Sequence, residues 1–370
     1  MNRDLQCVSQ LTHPPVSNKA LMAMFVITRH GARAPIDTWA RSNETGIWNC
    51  LSNSSLAPKI EISGGNIGRR YLKKFEESKY LFKPSCLSGE LLIDGMSQHK
   101  ELGAFYRQYL VNEIGLLPEV FDQELIYVRS SHYERCIQSM MSFFDGFYPA
   151  IQPDETIKYV TGTKELEPLY PSSSYCKDIR IVYEKFLKSD EFQQRKAKSQ
   201  QDLNPLFEYL ELEKTEENWM WLGDWMYSYK CSNQNIPHVV TDQMFELAMN
   251  DTSYGSVGFY RMFPKENSGA IWRVILEQTA AILSGQSKAK FALLSGHDIT
   301  IMALLASLDI VDLSSIPPYR SHLALELYND PIPSIRFVMN GQVLKPLGEE
   351  YLPLSKLLNR VQDSIQVCLE

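Results

Sequence analysis

Residues 24–35 constrain the fold more strongly than any other stretch of this chain, with the sequence Met-Phe-Val-Ile-Thr-Arg-His-Gly-Ala-Arg-Ala-Pro. The apolar run at 21–27 contains β-branched and aromatic residues and predicts a buried strand. It ends at Arg29-His30-Gly31, with Arg33 close behind. Open α/β sheets bind ligands in the crevice outside the carboxyl ends of their strands. The stretch therefore favours an anion site beside a histidine, although solvated charge at a strand end would give the same pattern.

Two further predicted strands also end in polar groups. Residues 291–296 form an apolar run that His297-Asp298 follows, and helical spacing then begins. At such a strand-to-helix junction, free backbone N–H groups and the helix dipole favour an anion. Residues 124–130 predict another strand, near whose end lies Arg129. Either feature alone would suit a helix cap or a strand-end charge, since Asp is a common N-cap residue.

The remaining pattern predicts an α/β fold with a central mixed, mostly parallel sheet flanked by helices. Strands at 322–328 and 335–339 would complete the sheet, and 91–110 has helical spacing. We expect a long loop at 36–66 beside the site and a helix at 67–81. Strand-like runs are scarce from 151 to 268, where charged helical stretches and clustered aromatics predominate. We therefore predict a core of residues 20–150 and 269–370 with a mainly helical cap, 151–268, inserted into it.

Composition excludes several functional classes. The chain has 370 residues, 44% hydrophobic and 22% charged, which is ordinary for a globular protein. A net charge of −7 argues against a general nucleic-acid binder, which would be basic. No apolar run reaches the roughly 18 to 20 residues that cross a bilayer. Seven cysteines without a Cys-x-x-Cys pair argue against zinc and thioredoxin-like sites, and their pairing stays open.

The three strand ends together supply three arginines, two histidines and one carboxylate. Arginine offers planar, permanently charged donors that suit a phosphate dianion. A neutral imidazole can attack phosphorus, and a carboxylic acid can protonate the leaving oxygen. Phosphoryl transfer depends mainly on positioning and charge stabilisation, so guanidinium groups can take the place of a metal ion. A metal site among three arginines is disfavoured, because their charges would repel the ion.

The sequence Arg29-His30-Gly31-Ala32-Arg33-Ala34-Pro35, with the later His297-Asp298, resembles the signature of the histidine acid phosphatases, branch 2 of the histidine phosphatase superfamily. The segments 94–103, 127–131 and 317–323 also resemble family segments, in family order. The resemblance extends over residues 21–345, although the cap is similar only in patches. Ala32 stands where this family often has an acidic residue, which leaves its effect on substrate choice and pH optimum open.

The resemblance implies an acid phosphatase that hydrolyses small phosphomonoesters through a phosphohistidine intermediate, without a metal ion or cofactor. It makes His30 the nucleophile and Asp298 the proton donor. It assigns phosphate binding to Arg29, Arg33, Arg129 and His297. The alternatives are a phytase-type or lysophosphatidate phosphatase of the same family, a phosphomutase-like protein of the other branch, and a non-catalytic binding protein.

Compartment and assembly are less constrained by the sequence. The family resemblance favours the secretory pathway, lysosomal or extracellular, as do three sequons at Asn43, Asn53 and Asn250. The first seven residues, however, lack the apolar stretch of a signal peptide. The sequence does not fix the oligomeric state, and a homodimer stays among the alternatives.

Overall fold

A computed structural model describes residues 5–37, 39, 41, 46–50, 82, 83, 85–150, 156–310 and 316–368. The helix predicted at 67–81 and most of the loop predicted at 36–66 lie outside the described residues. So do the sequons at Asn43 and Asn53, whereas Asn250 is exposed.

One mixed seven-stranded sheet forms the centre of the molecule, in the order β2-β3-β1-β4-β5-β6, with β7 paired to β5. The strands β2, β3 and β1 are parallel, whereas β4 to β7 pair in antiparallel fashion. The predicted fold class is confirmed. The strands are β1 (Ala23–Arg29), β2 (Ile126–Ser130), β3 (Phe291–Gly296), β4 (His322–Asn329), β5 (Pro333–Met339), β6 (Gln342–Leu344) and β7 (Leu352–Pro353).

Helices cover both faces of this sheet, and every residue of β1 and β3 is buried. Burial on both faces is what near-continuous apolar runs such as these indicate. The described residues form helices α1 (Ile93–Arg107), α2 (Glu134–Phe147), α3 (Lys177–Leu187), α4 (Asp190–Tyr209), α5 (Glu216–Cys231), α6 (Asp242–Met262), α7 (Pro264–Leu283), α8 (Asp298–Ser307) and α9 (Leu354–Gln366).

Alternate residues of β1 enter two separate hydrophobic clusters. Met24 and Val26 pack with α1 and α2 on one face. Phe25 and Ile27 belong to the larger cluster on the other face, which also contains side chains of α3 to α8. The two clusters hold the carboxyl end of β1 between layers of helices.

The described part of 156–263 contains the four helices α3 to α6 and no strand longer than an isolated bridge, which joins Val160 to Arg129. The helix α7 starts at Pro264, before the predicted boundary at 268. These helices share a buried cluster with the sheet. The division into a core and an inserted cap stays a prediction.

Three disulfides join segments that are distant in sequence: Cys7–Cys231, Cys50–Cys86 and Cys176–Cys368. Cys136 is a free, buried thiol. The sequence leaves this pairing open, because spacing alone does not determine connectivity. Within the described residues, no helix is both long and apolar enough to span a membrane.

Candidate active site

The carboxyl ends of three parallel strands meet at one edge of the sheet. Arg29 in β1 lies opposite Gly296 in β3, and Ser130 in β2 lies opposite Ser295. The helices α2 and α8 both begin just beyond this edge, at Glu134 and Asp298. Their N-termini add free N–H groups and positive dipole ends beside the strand-end side chains. The edge is therefore suited to an anion.

His30 is buried at the end of β1, with 2% of its surface exposed. Its Nδ1 lies 2.8 Å from the carbonyl oxygen of Gly31. Because a carbonyl can only accept, Nδ1 carries the proton and Nε2 keeps its lone pair. Burial, and next the charge of Arg135, lower the pKa of His30 well below its usual value. The imidazole is therefore neutral and has a free nitrogen.

The turn after His30 depends on close packing against α1. A Cβ atom at Gly31 would lie 2.3 Å from the carbonyl oxygen of Gly95, so only glycine fits there. The backbone N–H of Gly31 donates to Ser139 Oγ at 3.2 Å, and that of Ala32 donates to Gln98 Oε1 at 2.9 Å. These contacts fix the backbone that carries His30.

Arg29 is fully buried and contacts the second strand end directly. Its Nη2 lies 3.0 Å from Oδ2 of Asp298, and its Nη1 donates to the carbonyl of Pro317. The guanidinium carbon lies 4.5 Å from the centre of the Tyr319 ring, within cation–π range. The contacts hold Arg29 and Asp298 next to each other.

Arg33 is held from the opposite side by α5. Its Nη2 donates to both carboxylate oxygens of Asp224, at 2.8 and 2.9 Å. Its Nη1 donates to Ser228 Oγ at 3.1 Å and to the carbonyl of Ala34 at 3.2 Å. Asp224 lies 191 residues away in sequence, and no local pattern pointed to it.

Arg135, in the first turn of α2, is a candidate site residue that the sequence analysis missed. Its charge has the largest electrostatic effect on the pKa of both His30 and His297, and it lowers both. Its guanidinium lies over the Tyr133 ring at 4.4 Å. Among the described residues, no carboxylate forms an ion pair with it. The available signal was its place in the first helical turn after a strand that ends at the site.

The three arginines at this edge share one further property. The buried Nε–H groups of Arg29, Arg33 and Arg135 have no hydrogen-bond acceptor among the described residues. Buried donors without a partner are costly, so natural proteins rarely leave them without a functional reason. Three such donors on permanently charged groups beside His30 can bind an oxyanion.

His297 and Asp298 complete the cluster. The ring of His297 lies 5.6 Å from that of His30, and its Nε2 lies 2.9 Å from Ser131 Oγ. Asp298 starts α8, where its Oδ1 accepts from the N–H of Ile299 at 2.8 Å. Its side chain is 19% exposed, so this carboxylate keeps access to a ligand. The structure thus brings His30, His297, Asp298 and two of the predicted arginines together.

The structure does not bring Arg129 into this cluster. Its Nε and Nη2 donate to Glu167, at 3.3 and 3.1 Å. Glu167 is fully buried and also accepts from the backbone N–H groups of Gly162 and Leu169. Arg129 therefore anchors the 160–169 segment to β2. Among the described residues, no group of three or more His, Cys, Asp or Glu side chains could hold a metal ion.

Comparisons with known proteins show the family to which the chain belongs. Residues 20–340 match the model of the histidine phosphatase superfamily (branch 2). Counting factor 60 of Dictyostelium discoideum is 24% identical over 334 residues, 86% of this chain and 79% of that protein. Prostatic acid phosphatase of Rattus norvegicus is 26% identical over 260 residues, 65% of this chain and 67% of that protein.

Among solved structures, the fold is similar to that of the Hafnia alvei phytase in complex with myo-inositol hexakis sulphate. The TM-score is 0.63 at 16% identity, covering 96% of this chain and 99% of the phytase. At that identity the similarity shows the fold alone. The family model covers most of the chain, so the predicted membership is confirmed: this protein belongs to branch 2 of the histidine phosphatase superfamily.

Proposed function

We propose that this protein hydrolyses phosphate monoesters through a phosphohistidine formed on His30, with no metal ion required. One observation carries the proposal. Three guanidinium groups, each with a buried Nε–H that no described residue accepts, act electrostatically on His30, whose imidazole is neutral and whose Nε2 is free. Such donors suit the three equatorial oxygens of a transferring phosphoryl group. The guanidinium charges supply the stabilisation for which other phosphatases use metal ions.

In the first step, Nε2 of His30 attacks phosphorus while the bond to the ester oxygen breaks. Asp298, in its carboxylic acid form, gives its proton to the departing oxygen and becomes a carboxylate. Arg29, Arg33 and Arg135 bind the phosphoryl oxygens. The products of this step are an alcohol and phosphohistidine.

In the second step, a water molecule attacks the phosphohistidine. The carboxylate of Asp298 takes a proton from this water as the P–O bond forms and the N–P bond breaks. His30 returns to its neutral form, Asp298 is protonated again, and inorganic phosphate leaves. The hydrogen bond from Nδ1 to Gly31 fixes the same tautomer throughout.

Release of phosphate tests the proposal. Purified protein is incubated with 4-nitrophenyl phosphate and glycerol 2-phosphate, with and without EDTA, beside a His30→Ala control. We expect both esters to be hydrolysed, EDTA to have no effect, and the variant to be inactive. Activity that EDTA removes and a divalent ion restores would overturn the metal-independent mechanism. Equal activity in His30→Ala would overturn the nucleophile.

A further inference from the structure

The helix α5 reaches into the proposed phosphate site through one acidic side chain. Asp224 is 6% exposed and binds Arg33 with both carboxylate oxygens. Ser228, one turn later on α5, donates to the carbonyl of Asp224 and accepts from Arg33. The helix ends at Cys231, which a disulfide joins to Cys7. The position of Asp224 is therefore fixed by its own helix and by a covalent link.

Asp224 lowers the net positive charge of the proposed phosphate site. In the proposed function three arginines, Arg29, Arg33 and Arg135, bind the phosphate. Asp298 pairs with Arg29 and Asp224 pairs with Arg33, so only Arg135 is unpaired among the described residues. With these five residues charged, the net charge of the cluster is +1, and it is +2 when Asp298 carries the proton that it gives to the leaving oxygen.

A further carboxyl group lies within electrostatic range of this pair. Burial, and next the charge of Asp224, raise the pKa of Asp37 to about 6. The group is therefore neutral at acid pH and negative at neutral pH, where it adds one negative charge near Asp224 and Arg33. A single phosphate can still bind the Nε–H groups that have no acceptor among the described residues. Additional phosphates on the same substrate would meet fixed negative charge instead of free cations.

We propose that Asp224 is a specificity-determining residue, which positions Arg33 and selects esters with a single phosphate group against polyphosphorylated ones. The inference rests on the proposed function, because it names the substrate class of the same site. A merely structural ion pair would hold Arg33 equally well but would not discriminate by substrate charge. The two roles therefore predict different ratios of kcat/KM for a polyphosphorylated ester to kcat/KM for an ester with one phosphate group.

The test compares Asp224→Asn with the wild type on two substrates. Asparagine keeps the size of the side chain and can still accept from Arg33, but it carries no charge. We expect kcat/KM for inositol hexakisphosphate, relative to 4-nitrophenyl phosphate, to rise about 10-fold or more, mainly through a lower KM. Salt should weaken the discrimination of the wild type, since it screens charges.

Asp251→Asn is the matched control. Asp251 is also a buried carboxylate of the helical segment, paired with Arg195 at 2.9 Å. It lies on α6 and contacts none of the site arginines described above. This variant should leave the substrate ratio unchanged. A ratio that rises equally in both variants would indicate a general loosening of the helices and would overturn the inference.

A second variant and a binding measurement keep the outcome decisive. If Asp224→Asn does not fold, Asp37→Asn at pH 7 should also raise kcat/KM for inositol hexakisphosphate relative to 4-nitrophenyl phosphate.

Calorimetric titration measures the charge preference without turnover. The titration compares inositol hexakissulphate with inorganic phosphate, and Asp224→Asn should bind the hexakissulphate about 10-fold more tightly than the wild type does. A wild type that hydrolyses no ester would refute the proposed function. An active enzyme whose ratio and binding do not change in either variant would refute this inference alone.

Discussion

Two arginine–carboxylate pairs lie at the ends of β2 and β1, the strands on either side of β3, and differ in how many of their hydrogen-bonding groups are used. At the end of β2, Arg129 makes two hydrogen bonds to Glu167, which is fully buried and also accepts two backbone N–H groups. At the end of β1, Arg29 contacts Asp298, whose side chain is 19% exposed, and keeps an unpartnered Nε–H. The carboxylate of the first pair accepts four hydrogen bonds and has no lone pair left for a ligand. The second pair still has a free N–H donor and an accessible carboxylate, so it can bind a ligand.

The difference separates a structural charge from a functional one. Both arginines lie within the last two residues of a strand, so their position in the sequence does not distinguish them. A saturated buried pair holds segments together, and breaking it leaves an uncompensated charge. A pair with unused donors and solvent access can bind an anion and exchange a proton. We therefore expect changes at the two strand ends to affect different measurable properties.

The largest effect is expected for Asp298→Asn on an ester with a poor leaving group. General acid catalysis contributes roughly 10²- to 10⁴-fold, and we expect a loss in this range in kcat/KM for glycerol 2-phosphate. The 4-nitrophenolate ion leaves without a proton, so its ester should lose much less. Rapid quench of the phosphoenzyme burst would isolate the first step. An equal loss on both esters would make Asp298 an organiser of the pocket rather than a proton donor.

Arg135→Ala should have the next largest effect. Removal of one donor to a transition-state oxyanion costs about 10²- to 10³-fold, and we expect this loss in kcat/KM. Inhibition by inorganic phosphate should weaken as well, because the same donor binds the ground state. Urea unfolding should show no loss of stability, since an unpaired buried charge is removed. Unchanged kinetics would exclude Arg135 from the site.

Arg129→Ala should affect stability instead of catalysis. It leaves Glu167 buried without its counter-charge, which typically costs about 3–5 kcal/mol. Urea unfolding should show this loss, while kcat/KM per folded molecule stays close to that of the wild type. The opposite result, lost activity with unchanged stability, would support the phosphate-binding role that the family resemblance suggested for Arg129.

The smallest effect concerns buried histidines behind the site. Burial lowers the pKa of His99 to about 3 and that of His322 to about 4. In the unfolded chain both have a pKa near 6.5, so below that pH the unfolded state binds more protons. The free energy of unfolding should therefore decrease as the pH falls. Each histidine contributes up to about 1.4 kcal/mol of this decrease per pH unit.

The variant His322→Gln tests the direction of this pH dependence. Urea unfolding at pH 7 and pH 5 should show a smaller decrease for His322→Gln than for the wild type, by about 2 kcal/mol. The same decrease in both proteins would mean that His322 is not kept neutral by the fold.

The strand ends could be predicted from the sequence because each is a local pattern, an apolar run followed by polar residues. His30, His297 and Asp298 were identified in this way, and parallel pairing brings them together. Arg135 and Asp224 could not be found so easily. Arg135 resembles any arginine in a helical first turn, and Asp224 reaches Arg33 only through tertiary packing of α5. Arg129 followed the predictive pattern, but its partner Glu167 lies in a segment without regular secondary structure.

In the proposed mechanism, the free Nε2 of His30 accepts the phosphoryl group. Protein mixed with ³²P-labelled 4-nitrophenyl phosphate would be quenched within milliseconds in alkaline detergent, where phosphohistidine survives, and then digested for peptide mapping. We predict label on the peptide that contains His30, stable in base and released by acid, and no label in His30→Ala. Label on a serine or aspartate, or active wild-type protein that never becomes labelled, would contradict the account.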